Sequence, residues 1–395
     1  MNKKLSFFIF VSVIFITFSL FSIAASSCTQ KERIIKIGNQ NVMSGDFRYY
    51  GQDQTVSMNL AARELAPIRI GGFDYKISII SRDDEGNAEK SFLVSQELVQ
   101  EGVAGVVGSA FNATTKAAIP NYLEYNIPII TTSAPGTDLN KAGNNFFRII
   151  INNDQIIENV GNFILNEIKP VKIVLIDDGK EYSINFNLYL KEILSGDTAA
   201  EQIKSIKTYS LNPQAEDYEL LAENILIDDV ETVFYCGDYS NLARIMQCSR
   251  DIGVSSAFLT EKLSMNPGIL QLTDQKYLEG LIAVVPQPPS LAMFSENPRA
   301  IEFWRKYKDF TAEVKGIEIE EPGEFAPYAY DAFHLIIEAM KKANSTLPED
   351  YLSSLREISY EGVTGKIEFD SNGNLKSPQS TVFVIKNGSW VRFHK

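Results

Sequence analysis

The sequence predicts an α/β protein built from two doubly wound lobes, and three features of the chain support this fold class. Short runs of β-branched and other apolar residues recur from residue 34 onward, each bounded by turn residues. Stretches with apolar residues three or four positions apart lie between these runs and indicate amphipathic helices. Runs that are apolar throughout are typical of parallel strands buried on both faces. Because the series of strands and helices occurs twice, we expect two sheets, each covered by helices on both faces.

The first series comprises five predicted strands. They are residues 34–38, 75–80, 103–107, 127–130 and 146–150. A helix with apolar positions at Val56, Leu60, Ala61 and Leu65 follows the first strand. A second helix follows the second strand, with apolar positions at Phe92, Val94, Leu98 and Val99. This alternation of strand and helix predicts lobe I.

The second series comprises four predicted strands and is followed by a segment in which strands and helices no longer alternate. The strands are residues 171–176, 232–235, 257–259 and 281–285. Residues 302–307 and 328–342 then indicate long helices, and residues 377–393 a β-hairpin, because Asn387-Gly388 is a strong hairpin turn signal. The order predicts that the chain returns to the first lobe before it ends. We therefore assign residues 34–150 and 286–376 to lobe I, and 151–285 and 377–395 to lobe II. Ligands of such sheets bind at the carboxyl ends of the strands, so two hinged lobes would close on a ligand between them.

Composition excludes several classes of protein. The 395 residues carry 37 basic and 50 acidic side chains, a formal charge of −13, which argues against a nucleic-acid partner. The two histidines, His334 and His394, lie far apart, so a histidine-rich metal site or a histidine-dependent nucleophile is poorly supported. The common phosphate-binding, dinucleotide-binding, zinc-protease and nucleophile-elbow motifs are absent from the sequence. We expect no enzymatic activity, no cofactor and no metal.

The first 27 residues form a predicted signal peptide. Lys3 and Lys4 precede an uncharged stretch at residues 5–25, and small residues then lead to Cys28. This ending resembles the lipobox of bacterial lipoproteins, which implies lipidation of Cys28 and attachment to the membrane through lipid alone. The alternative is an uncleaved anchor helix, since the uncharged stretch is nearly long enough to span a bilayer. In both cases the remaining chain is exported and faces the periplasm or the cell exterior.

The other two cysteines, Cys236 and Cys248, are predicted to be free thiols. Cys236 lies at the end of a predicted strand and Cys248 well along the following helix. That spacing puts the sulfurs roughly a dozen ångströms apart, whereas a disulfide needs Cα atoms within about 7 Å. Export nevertheless leaves a disulfide possible.

Eight fragments in register resemble the leucine/isoleucine/valine-binding protein family, the type I solute receptors of ABC importers. The resemblance extends from about residue 34 to residue 393. It implies the periplasmic binding protein type I fold, with a hinge of several crossings. The fragments are Ser44-Gly45 with Tyr50-Gly51, Asp83-Asp84 with Asn87, Gly108-Ser109, 130–134, Asp177-Asp178 with Tyr182, 234–239, 330–332 and 362–370.

The resemblance implies a set of ligand-binding residues in the cleft. Tyr50 takes the position of an aromatic ring that covers the ligand, and Asn112 that of a hydroxyl that binds the ligand carboxylate. The carbonyl of Ala134 takes the position that accepts from the ligand ammonium, and Tyr182 that of an aromatic of the second lobe. The other implied residues are Ser109, Ala113, Ser133, Asp238 and Glu261. Asp238, with Tyr239 as the alternative, takes the position of a strand-end residue that faces the cleft. Glu261, with Lys262 as the alternative, takes the position of an acid that pairs with the ammonium.

The resemblance implies that the protein captures a small polar solute, in the first place a branched-chain amino acid, and as a monomer delivers it to the permease subunits of an ABC importer. Two departures leave the ligand open. Pro135 lacks a backbone N–H where the family often has a threonine, and Lys262 would repel an ammonium. An amide or a small carboxylate is therefore an alternative ligand. Alternative functions are a ligand-sensing lipoprotein of the same fold, a hydrolase that uses carboxylates near the cleft, and a purely structural lipoprotein.

Overall fold

Two separate β-sheets form the centres of two lobes in a computed structural model of the protein. The structure describes residues 32–394 except 142, 213–216, 287–296, 315, 317–318, 377 and 379. The predicted signal peptide and Cys28 lie outside the described residues. Within the described part of the chain, no helix is long and apolar enough to cross a membrane.

The first sheet has six strands in the order β2-β3-β1-β4-β5-β6. All neighbours run parallel except β2, which pairs antiparallel with β3 at one edge. The order places the ends of β1, β4 and β5 side by side, which brings the loops that follow them together. The strands are β1 (Ile34–Asn41), β2 (Ile68–Ile70), β3 (Phe73–Asp83), β4 (Gly105–Gly108), β5 (Ile129–Thr131) and β6 (Phe146–Arg148).

The second sheet has seven strands in the order β15-β14-β11-β10-β9-β7-β8. The five strands from β7 to β11 are parallel, and the C-terminal hairpin adds β14 antiparallel to β11. A further hairpin, β12 with β13, stands apart from both sheets. The strands are β7 (Lys172–Asp177), β8 (Ser205–Ser210), β9 (Thr232–Cys236), β10 (Ala257–Thr260), β11 (Ile282–Val285), β12 (Ser359–Gly362), β13 (Gly365–Glu368), β14 (Thr381–Lys386) and β15 (Ser389–Arg392).

Helices cover both faces of each sheet. On the first sheet α1, α11, α12 and α13 share one apolar core, while α2 and α3 pack on the opposite face. On the second sheet α4 and α5 pack on one face and α7 to α10 on the other. The longer helices are α1 (Arg48–Leu65), α2 (Ala88–Gln100), α3 (Asn112–Glu124), α4 (Asn153–Phe163), α5 (Glu181–Leu194), α7 (Tyr218–Asp228), α8 (Tyr239–Asp251), α11 (Pro298–Glu313), α12 (Ala326–Ala343) and α13 (Pro348–Arg356). The short ones are α6 (Asp197–Ala200), α9 (Ile269–Leu272) and α10 (Gln275–Leu278).

We call lobe I the first sheet with its helices, and lobe II the second sheet with its helices. The chain passes between the sheets three times, after β6, after β11 and after β13. Side chains of α4 tie the first crossing to the third. Gln155 Nε2 donates to the carbonyl oxygen of Leu375 at 2.8 Å, and Asn159 Nδ2 donates to that of Pro378 at 3.1 Å. The predicted fold class, two α/β lobes joined by several crossings, is confirmed, while the exact domain boundaries stay predictions.

Several predicted elements are confirmed, and others were missed. The two long helices after the second sheet are α11 and α12, and the final hairpin turns at Asn387 and Gly388, both with positive φ. Strand β8 was not among the predicted strands, because it is an edge strand whose residues are mostly exposed or half-buried and therefore lack a continuous apolar run. Cys236 and Cys248 are free thiols, as predicted, although Cys248 is only partly buried.

Candidate functional site

Loops at the carboxyl ends of β1, β4 and β5 form the lobe I wall of the cleft. Two hydrogen bonds join the β4 and β5 loops. Ser133 Oγ donates to the carbonyl oxygen of Ala110 at 2.9 Å, and the Gly136 N–H donates to Asn112 Oδ1 at 2.8 Å. Because this hydrogen bond uses the side-chain carbonyl oxygen of Asn112, its NH₂ group is left as a donor toward a ligand. Asn112 is also exposed. Ala113 is exposed beside it in the first turn of α3.

Two of the predicted binding residues are buried within the loops of this wall. Ser109 is 0% exposed, and its hydroxyl donates to the carboxylate of Asp84. Ser109 therefore stabilises the loop from inside the lobe and does not reach the cleft surface in this conformation. Ala134 is also buried, and its N–H donates to Thr131 Oγ1 at 3.1 Å.

The guanidinium of Arg148 fixes the β5 loop. It is fully buried and donates to the carbonyl oxygens of Pro135 at 2.8 Å and Gly136 at 2.6 Å, and to Asn140 Oδ1 at 2.8 Å. Burial lowers the pKa of Arg148 to about 10. Arg148 was not among the predicted site residues, although a charge inside an otherwise apolar strand was a usable signal, since buried charges need partners.

An aromatic cluster continues the lobe I wall. The ring of Tyr50 stacks on that of Phe325, with centroids 5.3 Å apart, and meets the edge of Phe111 at 6.0 Å. Phe47 packs against Phe111 at 5.5 Å, and Tyr49 lies beside Tyr50 at 4.5 Å. Burial raises the pKa of Tyr50, and Tyr49 and Glu324 add to the shift. These rings offer an apolar surface next to the polar loops.

The turn before α12 carries Phe325 and Glu324 and is held by a buried carboxylate. Asp53 is 5% exposed, and its Oδ1 accepts from the Gly323 N–H at 3.1 Å and from the Tyr307 hydroxyl at 2.8 Å. A cavity of 190 Å³ lies between this turn and the two tyrosines at 49 and 50.

The lobe II wall is centred on Asp178, which follows β7. This carboxylate is 3% exposed and accepts from Ser183 Oγ at 2.6 Å and from the Asp238 N–H at 3.2 Å. Lys180 Nζ lies 3.0 Å from Asp178 Oδ2, the oxygen that also accepts from the Asp238 N–H. Burial alone would raise the pKa of Asp178, but the hydrogen bonds from Ser183 and Lys180 outweigh it and lower the pKa. These residues and Tyr182 line a cavity of 130 Å³.

Two predicted binding residues lie in this wall. Tyr182 is 39% exposed, and packing of the protein around it, with the charge of Glu261 nearby, raises its pKa. Asp238 caps α8, where its Oδ1 accepts from the Ser240 N–H at 2.9 Å. The other oxygen of Asp238 has no role in this cap.

At the end of β10, Glu261 and Lys262 occupy different environments. Glu261 is 1% exposed, and its Oε1 accepts from the Leu263 N–H at 3.1 Å, with the Cys236 thiol 3.8 Å away. Burial raises the pKa of Glu261 to about 7. Lys262 extends instead toward lobe I, where it forms an ion pair with Glu324. In this conformation Lys262 lies in the cleft, and Glu261 lies below its surface.

Two α/β lobes, three crossings and facing walls at the carboxyl ends of both sheets form the architecture that is typical of two-lobed binding proteins. The chain belongs to the periplasmic binding protein family, since the model of that family matches residues 34–389. This match confirms the family resemblance drawn from the sequence fragments.

The relatives of this chain are binding proteins. The leucine-, isoleucine-, valine-, threonine- and alanine-binding protein of Pseudomonas aeruginosa is 23% identical over 377 residues, which are 95% of this chain and 94% of that protein. A branched-chain amino acid substrate-binding protein of Streptococcus pneumoniae, solved with isoleucine, has a TM-score of 0.61 at 23% identity and covers 91% and 98% of the two chains. A solute-binding protein of Rhodopseudomonas palustris, solved with 3,4-dihydroxybenzoic acid, has a TM-score of 0.62 at 18% identity and covers 91% and 96%.

Replacing Arg148 tests its role in the wall. We expect Arg148→Met to lower the free energy of unfolding by about 3 kcal/mol, because the carbonyl oxygens of Pro135 and Gly136 and the side-chain oxygen of Asn140 each lose a charged donor. Urea denaturation measures the change. Arg63→Met is the control, since Arg63 pairs with Glu313 at an exposed position. Equal stability of the two variants would contradict the role assigned to Arg148.

Glu261 should make stability depend on pH. Its pKa rises from 4.5 to about 7 on folding, so the folded chain holds this proton more tightly than the unfolded chain. The resulting stability is fully present below pH 4.5 and is lost as the pH rises through 7. We expect the free energy of unfolding of Glu261→Gln to exceed that of the wild type by about 3 kcal/mol at pH 8. At pH 4.5 the two free energies should differ little. Urea denaturation at both pH values measures the difference, and Glu97→Gln, at an exposed position, is the control. Absence of the gain in unfolding free energy at pH 8 would refute the raised pKa of Glu261.

Proposed function

We propose that the protein is the substrate-binding component of an ABC importer and captures a small amino acid, most readily one of branched-chain type, between its lobes. The observation that carries this proposal is the pairing of an aromatic and amide-bearing wall on lobe I with an acidic wall on lobe II. The names of the Pseudomonas and Streptococcus relatives support the choice of ligand. The proposed action is capture and delivery, without a chemical step.

The two walls supply complementary groups for an amino acid. The amide of Asn112 and the first turn of α3 present donors to a carboxylate, as the N-terminus of a helix commonly does. The uncapped oxygen of Asp238 offers an acceptor to an ammonium, and the rings of Tyr50 and Phe325 offer contact to an apolar side chain. A ligand that contacts both walls binds the closed arrangement more tightly than the open one, so it shifts the lobes toward closure.

Anchoring and delivery complete the proposal. Lipidation of Cys28 after removal of residues 1–27 would keep a monomeric receptor beside the membrane, where it meets the permease subunits. Attachment through lipid alone suits such a role, because it limits diffusion away from the importer and leaves both lobes free to close.

A second candidate ligand is a small carboxylate or an amide without an ammonium. Lys262 favours it, because this lysine places a positive charge in the cleft, 5.7 Å from the centroid of the Phe325 ring. Pro135 also removes one backbone donor from the β5 loop. The Rhodopseudomonas relative, solved with an aromatic acid, shows that this fold accommodates such a ligand.

Variants of the lobe I wall test the proposed site. We expect Tyr50→Ala and Asn112→Ala each to weaken binding of the preferred ligand by more than about 1 kcal/mol, the scale of a lost ring contact or buried hydrogen bond. A thermal-shift screen of amino acids, amides and small carboxylates identifies that ligand, since binding to the folded state raises the melting temperature. Calorimetry then measures the affinities.

Lys116→Ala is the control for these variants, because Lys116 lies one turn along α3 and pairs with Asp138 at the surface. Wild-type affinity in the two wall variants would refute the site. Stabilisation by leucine, isoleucine or valine supports the amino-acid ligand. Stabilisation only by compounds without an ammonium supports the second candidate.

Removal of the lipidation site tests the anchor. We expect Cys28→Ala to release the protein from the membrane fraction, because no lipid can then be attached. Cell fractionation followed by immunoblotting measures its distribution, with Cys248→Ala as the control. Retention of Cys28→Ala in the membrane would instead support an uncleaved anchor helix.

A further inference from the structure

One ion pair joins the two walls of the cleft. Lys262 belongs to the turn after β10 in lobe II, and its ammonium contacts the carboxylate of Glu324 in lobe I. The lysine side chain is 37% exposed and the glutamate side chain 25%, so both are partly withdrawn from water. The same ammonium lies 5.7 Å from the centroid of the Phe325 ring, within the range of a cation–π contact. We call Lys262 and Glu324 the cross-cleft pair.

A buried carboxylate fixes the turn that carries each partner. In lobe I, Asp53 accepts from the Gly323 N–H at 3.1 Å, directly beside Glu324. In lobe II, Glu261 accepts from the Leu263 N–H at 3.1 Å, directly beside Lys262. Both turns are therefore held from below by their own lobe. Only the two side chains of the pair have to be ordered when they meet, which reduces the entropy lost.

We propose that the cross-cleft pair holds the lobes together in the absence of ligand and thereby raises the affinity of the cleft for any ligand that binds its closed form. The effect on affinity rests on the proposed function, while the effect on the lobes does not. The apparent dissociation constant is the intrinsic constant divided by the fraction of molecules in the binding-competent form. A contact that increases the closed fraction therefore tightens binding without touching the ligand.

The size of the effect follows from the exposure of the pair. Partly exposed ion pairs contribute at most about 1 kcal/mol, which corresponds to about fivefold in an equilibrium constant. Salt weakens them, because the Debye length falls to about 3 Å at 1 M ionic strength. A bridge changes the affinity for every ligand by the same factor. A direct contact of Lys262 with the ligand would change affinity according to the charge of the ligand.

The experiment compares Lys262→Met, Glu324→Gln and the reversed pair Lys262→Glu with Glu324→Lys. Small-angle X-ray scattering of the ligand-free protein measures how far the lobes are apart. Calorimetry measures the affinities for leucine and for 4-methylpentanoate, which has the same carbon skeleton but no ammonium. Lys308→Met is the matched control. Lys308 forms an ion pair at 2.6 Å with Glu321, which precedes Glu324 in the same turn, and this pair lies within lobe I.

We expect each single variant to increase the radius of gyration of the ligand-free protein. Each should also lower the affinity for the compound that binds by about fivefold, and by the same factor for both compounds if both bind. The reversed pair should restore both quantities, and Lys308→Met should leave both unchanged. In 1 M salt the wild type should approach the single variants. If neither compound binds but the scattering differences persist, the bridge stands and the proposed ligand class fails.

Two results would overturn the bridge. One is a wild type that is as expanded as Glu324→Gln in the absence of ligand. The other is a loss of affinity limited to one of the two compounds and not restored by the reversed pair, which would identify Lys262 as a direct ligand contact. In either case binding of leucine or 4-methylpentanoate by the wild type would leave the proposed function intact.

Discussion

The cleft depends on hydrogen bonds between neighbouring loops at the carboxyl ends of parallel strands. A parallel ladder satisfies the backbone up to the last strand residue, and the loops beyond it must find other partners. In lobe I several of those partners are side chains. Asn112 accepts from the Gly136 N–H, and Arg148 donates to the carbonyl oxygens of Pro135 and Gly136. The wall is thus built before any ligand arrives, which reduces the ordering that binding requires.

Buried carboxylates support the walls of the cleft in both lobes. Asp53, Asp178 and Glu261 are all buried beneath the walls, and each accepts from backbone N–H groups or hydroxyls of its own lobe. They fix the turns from which more exposed groups extend into the cleft. The excess of acidic residues noted in the composition therefore includes carboxylates that support the walls of the site.

The sequence predicted the fold class because buried parallel strands and amphipathic helices leave clear periodic patterns. Strands without a buried face on each side left no such pattern, so β8 and the hairpin of β12 and β13 were missed. Tyr50 and Asn112 lie in the lobe I wall, and their contact with a ligand stays a prediction. Whether Glu261 or Lys262 enters the cleft could not be read from adjacent positions, since a single turn of backbone decides which side chain is buried.

The course of the chain through the two lobes bears on its synthesis. The second sheet receives β14 and β15 only from the last residues, and α12, which covers one face of the first sheet, ends at Ala343. The chain emerges from the ribosome with its N-terminus first, so neither lobe can complete its core until most of the chain has emerged. Folding of both lobes therefore depends on contacts between segments far apart in the sequence, and such contacts form slowly because long loops must close first.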